Sequence, residues 1–324
     1  MTRVLIIGGA GFIGSHLTRH CIARGDDVHI AARPQANLWR LANIHTSLTL
    51  HSLDLRDRVA LGRCFGEARP DEVYHLATQV RWQPAPDFSD AHQSVSTDVL
   101  NLIAVLAAAS AANPPPRIMV RAGSLAEYGN GPVPYVESQR ENPLNSYAAA
   151  LTACTHYAQM LQSRLPFAIL TARLALTYGP TQNEDFLIPT LVRNCLTGKP
   201  TRILRPDDRR DLIYVTDVAE ALCRLARSEL PGGTIVNVAT GIAPVMSEVA
   251  HLVARVAGAD PALIDIVDTS GTVGETHNAY TNICGSPALA RKLLDWEASI
   301  TLIEGLHRIL DLIRDRNKTH EARQ

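Results

Sequence analysis

A tyrosine at the start of an alanine-rich segment is the residue of this sequence whose surroundings most directly suggest chemistry. Tyr147 stands in NPLNSYAAAL, residues 142–151, and a helix there would place position 151 on the same face as the phenol. A lysine at that position would stabilise the phenolate and complete an acid/base pair, but the residue is Leu151. A tyrosine without such a cation stays protonated at neutral pH, since its ordinary pKa is about 10. Tyr147 is therefore predicted to donate a proton more readily than to abstract one.

The segment GGAGFIG near the N-terminus has the glycine spacing of a phosphate-binding turn. Gly8, Gly11 and Gly14 follow the apolar run VLII and open a predicted helix from about Phe12 to Arg24. Glycines allow a tight turn, a close approach of a pyrophosphate to bare backbone, and close packing of the helix on the strand. The free N–H groups of the helix N-terminus would then face the phosphates. The segment predicts a dinucleotide site, the alternative being an ordinary glycine-rich turn.

The second and third predicted strands end in residues that bear on the choice of cofactor. DVHIAAR ends in Ala32 and Arg33, where an aspartate would bind the ribose hydroxyls of NAD. A guanidinium suits a 2′-phosphate, so NADP is predicted and NAD remains possible. The alternative is that Arg33 is an exposed loop residue, with Arg40 or no cation near the ribose. Asp54, at the end of SLDL, either accepts from the adenine amino group or caps the following turn.

Short apolar runs alternate with helical segments, and this alternation must position the chemistry. The predicted strands are VLIIGG, DVHIAAR, SLTLHSLDL, DEVYHLA, RIMVRAG and FAILTARLALTYG, and SVSTDVLNLIAVLAAASAAN is a predicted long helix that ends before three prolines. This order predicts an α/β fold with a doubly wound parallel sheet and a smaller C-terminal α/β substrate domain. The predicted dinucleotide-binding domain comprises residues 1–175 and about 212–240. The substrate domain comprises about 176–211 and 241–316, and 317–324 is a polar tail.

Composition and charge restrict the classes of partner. The 324-residue chain is 46% apolar and carries a formal net charge of -1, so no basic excess is available for nucleic acid or an anionic membrane. The six cysteines form no CxxC pair, so neither a metal site nor a disulfide framework is predicted. The apolar runs are shorter than the roughly eighteen residues of a membrane span. We therefore expect a cytoplasmic protein that acts on a small molecule.

Seven segments together resemble the extended short-chain dehydrogenase/reductase family over essentially the whole chain. They are YHLATQ, GSLAEYG, NPLNSYAAAL, RLALTYGP, RRDLIYVTDVAEAL, NVATG and LLDWEASITLIEGL, in the order and at the spacing of the family's nucleotide-sugar epimerases, dehydratases and ketoreductases. The resemblance implies a doubly wound NAD(P) domain and a smaller domain for a nucleoside-diphosphate sugar. It also implies a homodimer formed through a four-helix bundle.

The resemblance assigns roles to individual residues. It implies that Ser124, four residues before Tyr128, and Tyr147 bracket the reacting oxygen, and that Leu151 replaces the lysine that holds the nicotinamide ribose. The residues implied to bind the cofactor are Gly8, Gly11, Phe12, Ile13, Gly14, Arg33, Asp54, Leu55, Leu76, Ala77 and Tyr147, and those implied to bind the substrate are Arg81, Ser124, Asn183 and Arg210. Arg81, just after YHLATQ, is also the most plausible cation to reach the nicotinamide end, the alternative being an ordinary surface arginine.

Other positions also depart from the family pattern. Leu176 replaces a common asparagine, the usual asparagine near Val95 is missing, and DTSGTVGETHN, residues 268–278, contains no basic residue for a second phosphate contact. Leu125 and Ala126 stand where 4,6-dehydratases carry acid/base groups, which disfavours a dehydratase. GSLAEYG instead resembles the GSxxEYG of nucleotide 4-keto-6-deoxysugar reductases.

The sequence therefore predicts an NADP(H)-dependent oxidoreductase that acts at a carbonyl of a nucleotide sugar. One alternative is a nucleotide-sugar 4-epimerase. The other is an NAD(P)-binding partner or regulator that has lost turnover, which the missing lysine would explain.

Overall fold

A parallel seven-stranded sheet organises the N-terminal two thirds of the chain. The computed structural model describes residues 1–80, 83–267 and 280–321. The strands are β1 Arg3–Ile7, β2 Asp27–Ala32, β3 Thr49–Ser52, β4 Glu72–His75, β5 Ile118–Ser124, β6 Ala168–Leu174, β7 Leu176–Tyr178, β8 Thr201–Ile203, β9 Arg209–Arg210, β10 Leu212–Tyr214, β11 Ile235–Val238, β12 Ile264–Ile266 and β13 Asn282–Ile283. The large sheet has the order β11-β6-β5-β4-β1-β2-β3, and all its neighbouring pairs are parallel. β2 and β3 lie on one side of β1, and β4, β5, β6 and β11 lie on the other. This change of direction leaves a crevice at the carboxyl end of β1, beside the glycine turn.

Helices cover both faces of this sheet. They are α1 Phe12–Ala23, α2 Arg58–Ala68, α3 Ser89–Ser94, α4 Leu100–Ala111, α5 Ser146–Leu161, α6 Leu187–Leu196, α7 Val215–Arg227, α8 Met246–Ala257, α9 Ala288–Leu294 and α10 Leu302–Glu321. Leu17 of α1 and Leu222 of α7 share one buried core with Ile6 of β1. Leu106 of α4 shares a second core with Leu5 of β1. Alternate residues of one strand thus point into opposite layers, and the predicted doubly wound fold is confirmed.

The predicted strand FAILTARLALTYG is two strands. β6 ends at Leu174, and β7 pairs with β10 in a separate two-stranded sheet. The change occurs where Ala175 N still donates to Val238 O of the large sheet while Leu176 N donates to Asp211 O. The apolar sequence of FAILTARLALTYG does not predict this change of partner strand, because β6 and β7 are both largely buried strands.

A smaller α/β region with its own core follows. It pairs β12 with β8 and β13 with β9, and α6, α8 and α10 bury Leu191, Val249 and Leu306 together. The helix α10 continues to Glu321, so residues 317–321, predicted as part of an irregular polar tail, are helical. The domain limits remain a prediction.

The predicted long helix before the three prolines starts earlier than its pattern suggests. α3 begins at Ser89 and continues through a π-helical turn, Val95–Val99, into α4. By length and composition, the helix 89–111 could cross a membrane, and an 18-residue stretch of it has a mean hydropathy of 1.5. Polar residues such as Asp98 and Asn101 interrupt it, so it contains no unbroken run of eighteen apolar residues. Core helices of water-soluble proteins pass the same test, and Leu102, Val105 and Leu106 are indeed buried in the second core.

Candidate active site

The glycine turn lies between β1 and α1, as its sequence predicts. Gly8 has a positive φ of 89°, and a side chain there would come within 2.9 Å of Ala77 N. A side chain on Gly14 would lie 2.8 Å from the Cα of Gly9, so α1 sits directly on the turn. The helix begins at Phe12, followed by Ile13, with Gly11 as its N-cap. Bare backbone and free N–H groups are therefore presented at one point, which fits the pyrophosphate of a dinucleotide.

A groove runs from this turn along the carboxyl ends of the strands. Its volume is about 350 Å³. Its lining includes these predicted cofactor contacts: Gly8, Gly11, Arg33, Asp54, Leu55, Leu76 and Ala77. Thr78, Thr97 and Asn101 continue the wall at the end nearer α4. One groove therefore contains the glycine turn, the residues predicted to contact the adenosine, and the residues that follow β4.

Two arginines stand at the adenosine end of the groove. Arg33 is exposed on the wall, where the 2′-phosphate of NADP would need a cation. Arg40 also lines the wall, but its guanidinium donates to Thr181 O at 2.9 Å and to Asn183 Oδ1 at 2.5 Å. Arg33 is therefore the better placed of the two for a phosphate.

Asp54 has a local partner in addition to its place on the groove wall. Arg56 donates to its carboxylate from Nε at 3.0 Å and from Nη2 at 2.5 Å, and the Arg56 backbone N–H donates at 2.9 Å. These hydrogen bonds lower the pKa of Asp54 to about 2. Asp54 closes the turn after β3 and remains ionised beside the adenosine end, so the two roles predicted for it are compatible.

Ser124 and Tyr147 meet where β5 ends and α5 begins. Asn145 caps α5, with Oδ1 accepting from Ala148 N at 2.9 Å, which fixes the turn that carries the phenol. Ser124 Oγ accepts from Ala126 N at 3.1 Å, so its own proton remains available for a further acceptor. Burial of the hydroxyl raises the pKa of Tyr147 to about 12, and the adjacent Ser124 side chain partly opposes this rise. The two predicted catalytic residues are thus side by side, and the phenol is protonated at neutral pH.

A buried arginine lies under α5 and escaped the sequence analysis. Arg121 of β5 is 1% exposed and donates from Nη1 to Thr155 Oγ1 at 2.8 Å. It also donates to Thr171 Oγ1 at 3.3 Å and, from Nη2, to Leu151 O at 3.2 Å. The guanidinium of Arg121 therefore binds the backbone carbonyl of residue 151, although the side chain of Leu151 is apolar. The burial of Arg121 could have been predicted from the alternation of RIMVRAG. Residues two apart in a strand share a face, so Arg121 lies on the same face as the buried Met119.

Glu127 is a structural residue in this site. Its Oε1 accepts from Ser124 N at 2.9 Å, and its Oε2 accepts from Thr155 Oγ1 at 2.7 Å and from Arg173 Nε at 3.0 Å. Arg173 is fully buried and also pairs with Glu141. The carboxylate has three donors and no exposure, so it fixes the turn that carries Ser124.

Two further buried polar side chains lie close to the nicotinamide end of the groove. Asp98 belongs to the π-helical turn and is 2% exposed, and burial raises the pKa of its carboxyl to about 6. His75 ends β4, where burial and then the charge of Arg121 lower its pKa to about 4. Neither was selected from the sequence, because its burial is decided by the packing of distant segments.

Arg210, the arginine predicted to bind the diphosphate, is connected through hydrogen bonds to the segments around Ser124 and Tyr147. Arg210 Nη2 donates to Asp208 Oδ2 at 2.6 Å and to Tyr280 O at 2.7 Å. The hydroxyl of Tyr280 donates in turn to Ala126 O at 3.1 Å and accepts from Leu144 N at 3.3 Å. Tyr280 therefore connects Arg210 with the segments that flank Ser124 and Tyr147.

Of the remaining predicted substrate contacts, Asn183 is engaged away from Tyr147. Asn183 is held by Arg40 on the wall of a separate cavity of about 580 Å³, together with Trp39 and Pro180. Arg81 and the segment 268–278 lie outside the described residues, so their roles stay predictions. Among the described residues, no group of three or more His, Cys, Asp or Glu side chains could hold a metal ion.

The fold and this site define an NAD(P)-binding enzyme of the extended short-chain dehydrogenase/reductase type. A glycine turn after the first strand of a doubly wound sheet opens into a groove. A serine and a tyrosine meet where β5 ends and α5 begins. The chain belongs to the NAD dependent epimerase/dehydratase family, whose model matches residues 4–239.

Individual relatives are distant but cover most of the chain. UDP-glucose 4-epimerase of Mycolicibacterium smegmatis is 26% identical over 98% of this chain and 100% of its own length. dTDP-glucose 4,6-dehydratase of Neisseria gonorrhoeae is 28% identical over 71% of each chain. Among solved structures, UDP-glucose 4-epimerase of Thermus thermophilus, in complex with NAD, superposes with a TM-score of 0.83 at 26% identity and covers 96% of this chain and 99% of that one. The chain is similar to enzymes of nucleotide-sugar metabolism that run different reactions.

Proposed function

We propose that this protein reduces a carbonyl group of a nucleotide sugar with NADPH, as 4-keto-6-deoxysugar reductases do. The observation that carries the proposal is the state of Tyr147. Its phenol lies beside Ser124, has the apolar Leu151 four residues further along α5, and has a pKa raised to about 12 by burial. Such a tyrosine is ready to donate a proton and poorly suited to accept one before the reaction begins.

The residues would divide the work as follows. A nicotinamide cofactor held by the glycine turn and the groove would supply the hydride for the carbonyl carbon. As the carbonyl oxygen gains charge, Tyr147 transfers its proton to it, and the Ser124 hydroxyl donates a hydrogen bond to the same oxygen. Arg210, held by Asp208, offers its guanidinium to the diphosphate, and a planar guanidinium suits phosphate oxygens.

The choice of NADP rests on Arg33. It is exposed on the groove wall, and Arg40 is already engaged with Asn183. Replacement of Arg33 by Asp should weaken NADPH binding by roughly 10- to 100-fold, the worth of one charge-assisted contact, and should weaken NADH binding far less. Fluorescence titration with both cofactors measures this, and equal losses for NADH and NADPH would remove the argument for NADP.

The reductase proposal is tested with purified protein and a panel of UDP-, dTDP- and GDP-4-keto-6-deoxysugars. We expect NADPH oxidation with at least one of them, and a loss of about 100-fold or more in kcat for Tyr147→Phe. The Phe variant keeps the ring and removes only the hydroxyl, so its loss of NADPH affinity should be small beside its loss in kcat. Absence of turnover across the panel would contradict the proposal.

A nucleotide-sugar 4-epimerase is the second candidate, and a specific observation favours it. The similarity to the mycobacterial UDP-glucose 4-epimerase spans both chains almost completely, and the Thermus epimerase was solved with NAD. An epimerase would copurify with tightly bound NAD and interconvert two sugars without net cofactor consumption. A protein that binds NADPH, turns over neither class of substrate and is unaffected in its cellular role by Tyr147→Phe would be a binding partner or regulator.

A further inference from the structure

A second arginine shares the acceptors that hold Arg210. The carboxylate of Asp208 lies 2.6 Å from Nη2 of Arg210, and 2.8 Å and 3.0 Å from Nε and Nη2 of Arg205. The backbone carbonyl of Tyr280 also binds both side chains, accepting from Arg205 Nη2 at 2.8 Å and from Arg210 Nη2 at 2.7 Å. Two cations therefore surround one carboxylate, and the three side chains together keep a net positive charge.

The turn that carries Arg205 is fixed by the start of α8. Met246 N donates to Asp208 O at 2.8 Å, and Ser247 N donates to Pro206 O at 2.9 Å. Pro206 and Asp208 are buried, whereas 40% of the Arg205 side chain is exposed. The guanidinium of Arg205 is thus anchored by its backbone and by its two acceptors, while part of it stays open to solvent.

The two guanidinium groups differ in the donors that remain for a ligand. A guanidinium has five N–H groups. In Arg210, both Nη atoms donate to backbone carbonyls and Nη2 also binds Asp208, so Nε alone has no partner among the described residues. In Arg205, Nε and Nη2 are engaged with Asp208 and Tyr280, and both N–H groups of Nη1 are without a partner in the same part of the chain. Because the Arg210 side chain is also only 16% exposed, Arg205 has more to offer an anion.

Tyr280 places these arginines at a short distance from the reactive end of the site. Its hydroxyl donates to Ala126 O at 3.1 Å, two residues after Ser124, while its carbonyl accepts from both guanidinium groups. Arg205 is therefore separated from the turn that carries Ser124 by the length of one tyrosine. This separation suits a nucleotide sugar, because only the sugar ring lies between the diphosphate and a carbonyl at C4.

We propose that Arg205 is a substrate-binding residue that pairs with the diphosphate of a nucleotide sugar alongside Arg210. Each of the two phosphate groups carries a negative charge, and the single N–H group left on Arg210 cannot match both. The Nη1 atom of Arg205 adds two charged donors, the kind of partner that phosphate oxygens bind most strongly. This inference rests on the proposed nucleotide-sugar substrate, but it is the same for a reductase and for an epimerase.

The test is the binding of nucleoside diphosphates, which requires no turnover. UDP, dTDP and GDP are titrated by isothermal calorimetry into protein saturated with NADP, because the cofactor then excludes them from the groove beside the glycine turn. For the nucleotide that binds most tightly, we expect Arg205→Gln to raise the Kd by about 10- to 100-fold, the worth of one charge-assisted contact. Arg202→Gln is the matched control, because it removes an exposed arginine that is paired with Asp265, and it should leave the Kd unchanged.

A lysine at position 205 separates a contact with phosphate from a structural role. Lysine binds phosphate as a point charge, but it cannot span both oxygens of Asp208 as the guanidinium does. We therefore expect Arg205→Lys to keep most of the affinity that Arg205→Gln loses. Equal losses in these two variants, or no loss in Arg205→Gln, would overturn the inference. If Arg205→Gln does not fold, Arg205→Met takes its place.

The results also distinguish this inference from the proposed function. If none of the three nucleotides binds the wild-type protein, the nucleotide-sugar substrate is wrong and the inference about Arg205 fails with it. If one binds equally well to the wild type and to Arg205→Gln, only the inference fails. If binding depends on Arg205 while no 4-keto sugar oxidises NADPH, the inference stands and the reductase proposal fails.

Discussion

Single buried charges set the properties of this site. Arg121, Glu127, Arg173 and Asp98 all lie within the layer between β5 and α5 or beside it, and all four are almost fully buried. Arg173 and Glu127 form a close pair, and such pairs fix geometry more than they add stability. Among the residues that the structure describes, Asp98 has no such ion pair. We therefore expect its carboxylate to cost folding stability, and the cost to depend on pH.

Replacement of Asp98 by Asn should stabilise the protein at neutral pH. The folded carboxyl has a pKa raised to about 6 by burial, against about 4 when unfolded, so the wild-type protein loses stability as pH rises from about 4 to about 6. Two pKa units correspond to about 3 kcal/mol in the free energy of unfolding. The Asp98→Asn protein does not lose this stability, because asparagine does not ionise. Urea denaturation of both proteins at pH 4.5 and pH 7.5 should show the advantage of Asp98→Asn growing with pH. An identical difference at the two values would show that Asp98 is ionised at no unusual cost.

The sequence predicted some of these residues and not others, for a physical reason. Ser124 and Tyr147 stand in short segments whose spacing alone identifies them, because each belongs to one local turn. Arg121 and Asp98 carry charges that are normally exposed, and their burial depends on α5 and α4 closing over them. Only the alternation of β5, with Met119 and Arg121 on one face, gave any local sign of it.

At the scale of elements, the glycine turn is the part most completely determined by local sequence. β1, the turn and α1 are continuous in the chain, and the close approaches of Gly11 and Gly14 are made within the turn itself. The boundary between β6 and β7 was unpredictable, because it is set by strands 212–214 and 235–238, which follow much later. Local elements are thus predictable where their partners are local too.

The same substitution should have opposite effects in two helices. In Gly14→Ala, the new methyl group would lie 2.8 Å from Gly9 Cα and against Gly8 O, so α1 must move away from the turn. We expect a loss of roughly 1–3 kcal/mol in stability and at least a tenfold loss of NADPH affinity. Gly62→Ala in α2 meets nothing within 4 Å and should stabilise the protein by roughly 0.5–1 kcal/mol without changing cofactor binding. Equal effects of the two changes, measured by thermal unfolding and NADPH titration, would contradict the tight packing of α1.

At the scale of the whole molecule, α4 and α5 leave apolar side chains uncovered. Leu100 of α4 and Met160 of α5 are each 55% exposed, and Val95 and Tyr157 are also exposed on the same helical layer. The composition of residues 89–111 would suit a membrane, but Leu102, Val105 and Leu106 of that helix are buried in the core of the sheet domain. A second copy of the chain is an occupant that would cover both helices at once, as the four-helix bundle implied by the family resemblance requires.

We expect the protein to be a homodimer that single charges on this face disrupt. Leu100→Glu or Met160→Glu would place an unpaired carboxylate in a buried apolar interface, which costs several kcal/mol and should shift the protein to monomers at micromolar concentration. Ile242→Glu, at a residue that is 71% exposed on a distant loop, is the matched control and should leave the dimer intact. Size-exclusion chromatography with light scattering gives the mass of each variant, and circular dichroism shows that the monomers remain folded.

A wild-type protein that is already monomeric would exclude this interface. A dimer that tolerates both charges would place the contact elsewhere on the surface. Because α5 carries Tyr147 in its first turn, a dimer formed here would also restrain that turn, so we expect the monomeric variants to bind NADPH more weakly than the control does.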